Sequence, residues 1–320
     1  MRLWVAAVCG LCLCTLCTPL AMRLATKLCL VDRPGPLKAQ SRPVPYLGGV
    51  AVFAALVPAM ALSRPWTAAP LGGALLLGVA DDRAELSPAW RLAGQLVVGG
   101  GIAAVIPVRL AVPFGWLATV AVTMVLMNGV NMLDGLDALA PGSMAVAALG
   151  AAILSGGTGR VLALGMTGAL AGFLLYNRPP ARIYLGDGGA YLIGAWLSVT
   201  LACSWAPHVD NAISVAMLLL AAIPGAEVLF AVIRRVRAGH SLVGGDRSHP
   251  YDLLVARGWG TTRPMLAYVG TQSVLCLAAV LAGRLHSLAG AMSAVGAGAF
   301  VLLALAGACG AFRVPGAVGQ

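Results

Sequence analysis

Two amides and two carboxylates stand in one short stretch, Asn128-Gly-Val-Asn131-Met-Leu-Asp134-Gly-Leu-Asp137-Ala-Leu-Ala140, directly after the apolar run from Trp116 to Met127. Helical spacing makes Asn131 and Asp134 neighbours at i and i+3, and Asp134 and Asp137 likewise. Ionisable groups at the end of such a run are costly, and a functional reading is the default. Two further acidic patches, Asp81-Asp82 and Gly186-Asp187-Gly188, also end apolar runs. Carboxylates and amides without a Cys/His pattern suit a hard, oxygen-liganded cation. Magnesium in particular takes one or two carboxylates together with substrate phosphates. The expectation is that the three patches meet in one magnesium and phosphate site.

The residues around them fit an anionic ligand. Adjacent helical positions point about 100° apart, so Asp81 and Asp82 are expected to serve different partners. Lys38 and Arg42, in a Pro- and Gly-rich loop, could hold an anion or could be plain loop charge. In Asn177-Arg178-Pro-Pro-Ala-Arg182-Ile-Tyr184-Leu-Gly186-Asp187-Gly188, the glycines allow close approach of a ligand to the backbone. Tyr184 could stack on a base, and Arg178 or Arg182 could pair with phosphate. No Walker-type Gly-Lys-Ser/Thr is present, so this is not a P-loop. His249 sits in a basic, Gly-flanked segment where it could hydrogen-bond a diphosphate. Glu227 is a separate carboxylate inside an apolar run and calls for a partner such as Arg.

The elements that position these loops are membrane helices. Of 320 residues 60% are hydrophobic and 10% charged, with mean hydropathy +0.90; a soluble protein carries about 25% charged residues. The sequence reads as one all-α, polytopic membrane domain over 1–320. About eleven spans of suitable length follow, at 3–23, 45–63, 66–80, 91–108, 115–133, 142–156, 161–177, 189–205, 212–233, 263–283 and 289–312. Pro58, Pro107 and Pro224 fall within spans, where neighbouring helices must satisfy the freed backbone groups. With the N-terminus outside, only Arg2, Arg64, Arg109, Arg160 and Arg284 of the 21 basic residues lie on the outer side. That asymmetry orients the chain. All acidic residues but Asp210 sort to the cytoplasmic side, which the charge rule alone does not demand. The first apolar run precedes its main basic cluster, the order of an uncleaved first span rather than a signal peptide. Segment 234–262 reads as a cytoplasmic loop carrying a short interfacial helix around Leu253, Leu254 and Trp259.

Composition also excludes. The basic excess reflects loops facing an anionic leaflet, not a nucleic-acid partner. Cys9, Cys12, Cys14 and Cys17 lie in an apolar run without acidic or His companions, so they read as small apolar residues rather than a metal cluster. A transporter would place its site near the midplane, often in paired repeats. Here the acids crowd one face and no repeat is evident. A CDP-alcohol phosphotransferase would carry its aspartates in one helix-borne motif, whereas these are split over three loops.

Together Pro45-Tyr-Leu-Gly-Gly49, Asp81-Asp82, Asn131-Met-Leu-Asp134-Gly-Leu-Asp137, Asn177 with Tyr184-Leu-Gly-Asp187, and Asp246-Arg-Ser-His249 resemble the polyprenyl-phosphate N-acetylhexosamine-1-phosphate transferase family. The resemblance spans nearly the whole chain. It implies transfer of a sugar-1-phosphate from a UDP-sugar to a polyprenyl phosphate at the cytoplasmic face of a bacterial plasma membrane, with release of UMP. Such a step starts cell-envelope glycan assembly. The resemblance further implies Asp187 as principal ligand of Mg2+ (or Mn2+), with Asn131 as second ligand or orienting amide. It implies Asp81 and Asp82 as the pair handling the lipid phosphate or its proton. Asp134, Asp137, Asn177 and Tyr184 are implied on the substrate side, where they join Lys38, Arg182 and His249 from the reading of the loops, and a homodimer is implied for the assembly. The chain departs from the family at His249-Pro250-Tyr251-Asp252, where a multi-His run is usual, and at Gln40, where His is common. These departures bear on the donor sugar and point away from the peptidoglycan branch, toward N-acetylglucosamine-1-phosphate. The altered His loop also keeps open a catalytically inactive scaffold.

Overall fold

The structure is a computed structural model that describes residues 2–33, 43–239, 241 and 248–312. Among these residues the chain is all-α apart from one two-stranded ribbon. The helices are α1 (Arg2–Lys27), α2 (Gly48–Ser63), α3 (Ala68–Ala84), α4 (Pro88–Val105), α5 (Phe114–Leu133), α6 (Leu139–Leu154) and α7 (Gly157–Asn177). They continue with α8 (Gly186–Ser204), α9 (Asn211–Met217), α10 (Ala222–Ala238), α11 (Pro250–Ala256), α12 (Thr262–Arg284) and α13 (Leu288–Ala308). The strands β1 (Val31–Asp32) and β2 (Val44–Pro45) pair antiparallel, Val31 opposite Pro45. They close the base of the loop that holds Lys38, Gln40 and Arg42, which lie outside the described residues, as do Asp246 and Arg247.

Each expected span coincides with a helix, or with a helix pair at Asn211–Ala238. By length and composition six are long and apolar enough to cross a membrane: Trp4–Lys27, Phe114–Leu133, Gly157–Asn177, Asn211–Ala238, Thr262–Arg284 and Leu288–Ala308. The short helix expected in segment 234–262 is α11, which carries Leu253 and Leu254 and ends before Trp259. Pro107 falls outside α4, because the residue before a proline is pushed from the helical region and the helix stops at Val105.

Prolines inside the spans are handled by neighbours. Pro19 cannot donate to the carbonyl of Thr15; the Tyr176 hydroxyl of α7 donates to it instead, at 3.0 Å. Pro224 breaks the Asn211–Ala238 run into α9, a 3-10 turn and α10. The carbonyl of Leu220, four residues before it, accepts from Gln272 Nε2 of α12 at 3.5 Å.

Helix α8 is the axis of the bundle. It is apolar on every side and buried along most of its length, as such a helix must be. It packs against α2, α3 and α5, while α1 lies on α7 and α6 on α7 and α12. Trp196 and Tyr191 fill its surroundings, and Ser198 shares a 2.6 Å hydrogen bond with Thr123 of α5. Its N-terminus is gripped backbone to backbone. A Cβ on Gly78 of α3 would run into the Asp187 carbonyl, and one on Gly49 of α2 into the Gly189 amide.

Candidate active site

The three acidic patches do meet, and the meeting point is the first turn of α8. Asp82, near the end of α3, accepts from the backbone N–H of Asp187 at 3.1 Å and of Gly188 at 3.3 Å. Its carboxylate therefore caps the α8 N-terminus, where unsatisfied N–H groups and the helix dipole favour negative charge. Asn131, near the end of α5, donates Nδ2 to Asp187 Oδ1 at 2.6 Å. In this arrangement Asn131 is an orienting amide. Asp134 follows immediately as the residue that ends α5. Burial and the nearby charges of Asp187, Asp82 and Asp137 push its carboxyl well above the usual range.

Asp81 turns the other way, as the 100° rule requires. It is 5% exposed and accepts from Tyr191 OH and from the Leu86 N–H, each at 3.0 Å, with Arg91 at 3.7 Å. Its oxygens hold the α3–α4 corner against α8, and its carboxyl also stands in side-chain hydrogen-bond contact with Asp187. Both members of the expected pair therefore border Asp187, with Asp82 on the backbone N–H groups of the first turn and Asp81 at its edge.

The loop residues sort into positioning and lining roles. Asn177 is buried, accepts from Ala138 N–H at 2.9 Å and donates to the Ile183 carbonyl at 2.8 Å. It thus ties the Asp134–Ala138 turn to the segment before α8. Asp137 accepts from Ala181 N–H at 2.8 Å in the same seam; burial raises its carboxyl and this bond opposes the rise. Tyr184 is half-buried, and burial with the charges of Asp137, Asp32 and Asp134 pushes its phenol up to about 12. Its backbone docks on the first motif: Tyr184 N–H donates to the Pro45 carbonyl at 2.8 Å, and Gly48 and Gly49 donate to Tyr184 and Leu185 at 3.0 and 2.9 Å. Arg182 is exposed, its guanidinium 5.4 Å from the Tyr176 ring centroid.

His249 reaches the same region through a chain of contacts. Its ring stacks on Tyr251 at 5.4 Å between centroids, and Tyr251 OH donates to the Met132 carbonyl at 2.6 Å, beside Asp134. His249 Nδ1 lies 2.8 Å from Glu227 Oε2, and Tyr268 OH donates to Glu227 Oε1 at 2.6 Å. The intramembrane Glu227 therefore has His and Tyr as partners, not the Arg the sequence suggested. This buried trio was not foreseen. The one available signal was an acidic residue alone in an apolar run.

A divalent cation fits this chemistry. Asp82 and Asp187 lie near enough to Asp134 to add to the effect of burial in raising its carboxyl, and a cation would offset that charge. Among the described residues no three His, Cys, Asp or Glu side chains group closely enough to hold a metal ion by themselves, so a cation here would draw its remaining ligands from water and substrate phosphate.

Comparison with known proteins finds similarity over most of the chain. Residues 66–204 match the model of glycosyl transferase family 4. The chain is 29% identical over 285 residues to a probable undecaprenyl-phosphate N-acetylglucosaminyl 1-phosphate transferase of Bacillus subtilis, covering 81% of this chain and 78% of that one. It is 28% identical over 298 residues to the decaprenyl-phosphate N-acetylglucosaminephosphotransferase of Mycobacterium tuberculosis, covering 76% and 73%. It is 27% identical over 295 residues to an undecaprenyl-phosphate alpha-N-acetylglucosaminyl 1-phosphate transferase of Yersinia pestis, covering 83% and 80%. The matched segment, under half of the chain, carries Asp82, Asn131, Asp134 and Asp187, and the chain is similar to these polyprenyl-phosphate transferases over about four fifths of its length.

Proposed function

We propose that the protein transfers N-acetylglucosamine-1-phosphate from UDP-N-acetylglucosamine to a polyprenyl phosphate, releasing UMP and starting cell-envelope glycan assembly. The observation that carries this reading is the convergence of Asp82, Asn131, Asp134 and Asp187 from three helix ends on the first turn of α8. The names of the relatives supply the acceptor and the sugar.

In the proposed step an oxygen of the lipid phosphate attacks the phosphorus that bears the sugar. A new P–O bond forms while the bond from that phosphorus to the UMP oxygen breaks, and UMP leaves with that electron pair. Asp82, held on two backbone N–H groups, takes the proton of the lipid phosphate and keeps the attacking oxygen anionic. Asn131 fixes the Asp187 carboxylate. Asp187, with Asn131 and Asp134 beside it, would hold Mg2+ or Mn2+, which when bound neutralises diphosphate charge. Tyr184 and the Asp134–Asp137 turn form the wall for uridine and sugar. His249, oriented by Glu227, serves the diphosphate, with Arg182 at the entrance and Lys38 on the first loop. Asp81, Asn177 and Asp137 act by positioning. A site of this kind works by alignment and charge neutralisation, as phosphoryl transfer generally requires.

The same reading takes ten single helices and the α9–α10 pair as eleven spans, with the N-terminus outside and the catalytic end facing the cytoplasm of a bacterial plasma membrane. A homodimer is part of it. The charge asymmetry of the sequence supports the orientation.

The test is UMP release by purified protein with magnesium, polyprenyl phosphate and UDP-N-acetylglucosamine, beside Asp187→Asn. Lipid-dependent UMP that vanishes in the variant is expected. Release only with another UDP-sugar would reassign the donor, and no release by folded protein with any donor would leave the scaffold reading in its place.

A further inference from the structure

At the other end of α8, about 26 Å from Asp187 by helical rise, the structure holds a cavity of about 460 Å3. The ends of α2 and α8 and the starts of α7 and α9 enclose it. Leu162, Val199, Ile213 and Met217 give it an apolar floor, while Arg64, Thr200, Ser204 and His208 bring polar groups. It shares no residue with the carboxylate cluster.

Arg64 is the residue that asks for a ligand. It ends α2, with its backbone N–H on the Met60 carbonyl. Its guanidinium lies 5.9 Å from the Trp66 ring centroid. Nη1 points at Cys203 Sγ, 2.8 Å away, and a thiol is a weak acceptor. Nε is buried and has no hydrogen-bond partner. Among the described residues no carboxylate pairs with this guanidinium. The one acid on the cavity rim, Asp210, is already held by His286 Nδ1 at 2.7 Å and by the Ala212 N–H at 2.7 Å. A partly buried cation without an acceptor is costly, and the planar guanidinium matches a phosphate. The missing acceptor and the apolar floor together define an amphiphile.

We propose that this cavity binds a phosphate group, in the form of the anionic head of a membrane lipid, on the face opposite the catalytic carboxylates. Arg64 takes the phosphate oxygens, and the apolar floor takes the first carbons of the chains. The site is independent of the transferase reaction, and its occupant acts on stability rather than on turnover.

The test is thermal unfolding of the full chain in neutral detergent with added phosphatidylglycerol, diacylglycerol or inorganic phosphate. Wild type, Arg64→Gln, Arg64→Lys and Gly159→Leu are compared. A Cβ on Gly159 meets only ordinary contacts, with Arg64 Nη2 at 3.7 Å, so a leucine there fills the cavity and leaves the guanidinium in place. Phosphatidylglycerol at about ten times its Kd is expected to raise the wild-type Tm by about 3 °C, and diacylglycerol to have no effect. The rise is expected to persist in part in Arg64→Lys and to vanish in Arg64→Gln and Gly159→Leu. UMP release in neutral detergent with polyprenyl phosphate but no added phosphatidylglycerol is expected to be equal in all four, which certifies their folding. A rise with inorganic phosphate alone would keep the phosphate site and make its source a free anion. Equal stabilisation of wild type and the cavity variants, or no shift of wild type with any additive, overturns the proposal; if Arg64→Gln does not fold, Gly159→Leu decides alone.

Discussion

The Asn131–Asp187 hydrogen bond joins α5 to α8, and its length depends on a glycine two turns away. Asp187 and Gly194 lie seven residues apart on α8, on the face that meets α5; Met127 and Asn131 lie four apart on α5. A Cβ on Gly194 would stand 2.5 Å from Met127 Cα, 2.6 Å from the Leu126 carbonyl oxygen and 2.7 Å from Met127 N, all backbone, where ordinary contact begins at 3.4 Å. Gly194→Ala must therefore push the two helices apart by about 0.9 Å. Transmitted along two turns, that stretches the 2.6 Å Asn131–Asp187 bond to about 3.5 Å, beyond hydrogen-bond range. A misplacement of about 1 Å in a catalytic constellation costs about 100-fold in rate. The assay is UMP release under saturating substrates, normalised to protein that elutes as a single folded species. Gly73→Ala is the control, since its Cβ would meet only Val98 Cγ2 at 3.7 Å and turnover should not change. A folded Gly194→Ala enzyme with kcat within about threefold of wild type would refute the claim that α5–α8 spacing sets the site.

Asp81→Asn and Asp82→Asn should separate. The first replaces one of the two buried acceptor oxygens that serve Tyr191 and Leu86 and should cost about 1.5–3 kcal/mol of stability with the smaller loss of turnover; the second should lose about 100-fold or more in kcat with a smaller change in Tm, and the reverse pattern would exchange their roles. Glu227→Gln weakens the orientation of His249 and should raise KM for the UDP-sugar about tenfold or more, with kcat less affected; an unchanged KM would detach the His249 trio from the donor. Asp134 has its carboxyl raised by burial and by three carboxylate neighbours. Folding then favours the protonated form, so metal-free protein loses stability as pH climbs from about 4 toward the raised value. Asp134→Asn should flatten that Tm–pH profile, with the higher Tm at pH 7, and magnesium should raise the wild-type Tm more than the variant's. Parallel profiles would mean that Asp134 does not share the charge cluster.

What the sequence made legible is what is energetically expensive. Carboxylates ending apolar runs are costly wherever they stand, so Asp81-Asp82, Asn131 to Asp137 and Asp187 declared themselves, and with them the helices that carry them. The divergence of Asp81 from Asp82 was legible too, because it follows from helical geometry; which partners each takes was not, since that depends on Tyr191 and Arg91 arriving from other elements. The same limit hid the partners of Glu227. Its cost was visible in one residue, but relief comes from His249 on a following loop and Tyr268 on α12, and nothing local links the three. Gly194 was silent for the opposite reason: its function is an absence of atoms, and one more glycine among 41 carries no mark until Met127 is seen against it. Arg64 shows where these cases converge. Its position among the few outer-side basic residues was read as an exception to charge asymmetry, and only the packing of α2 against α7 and α8 shows that the exception is a cation with a cavity in front of it. Groups whose cost is local can be read from the chain; groups whose cost is met by a distant partner, or by a ligand, need the fold.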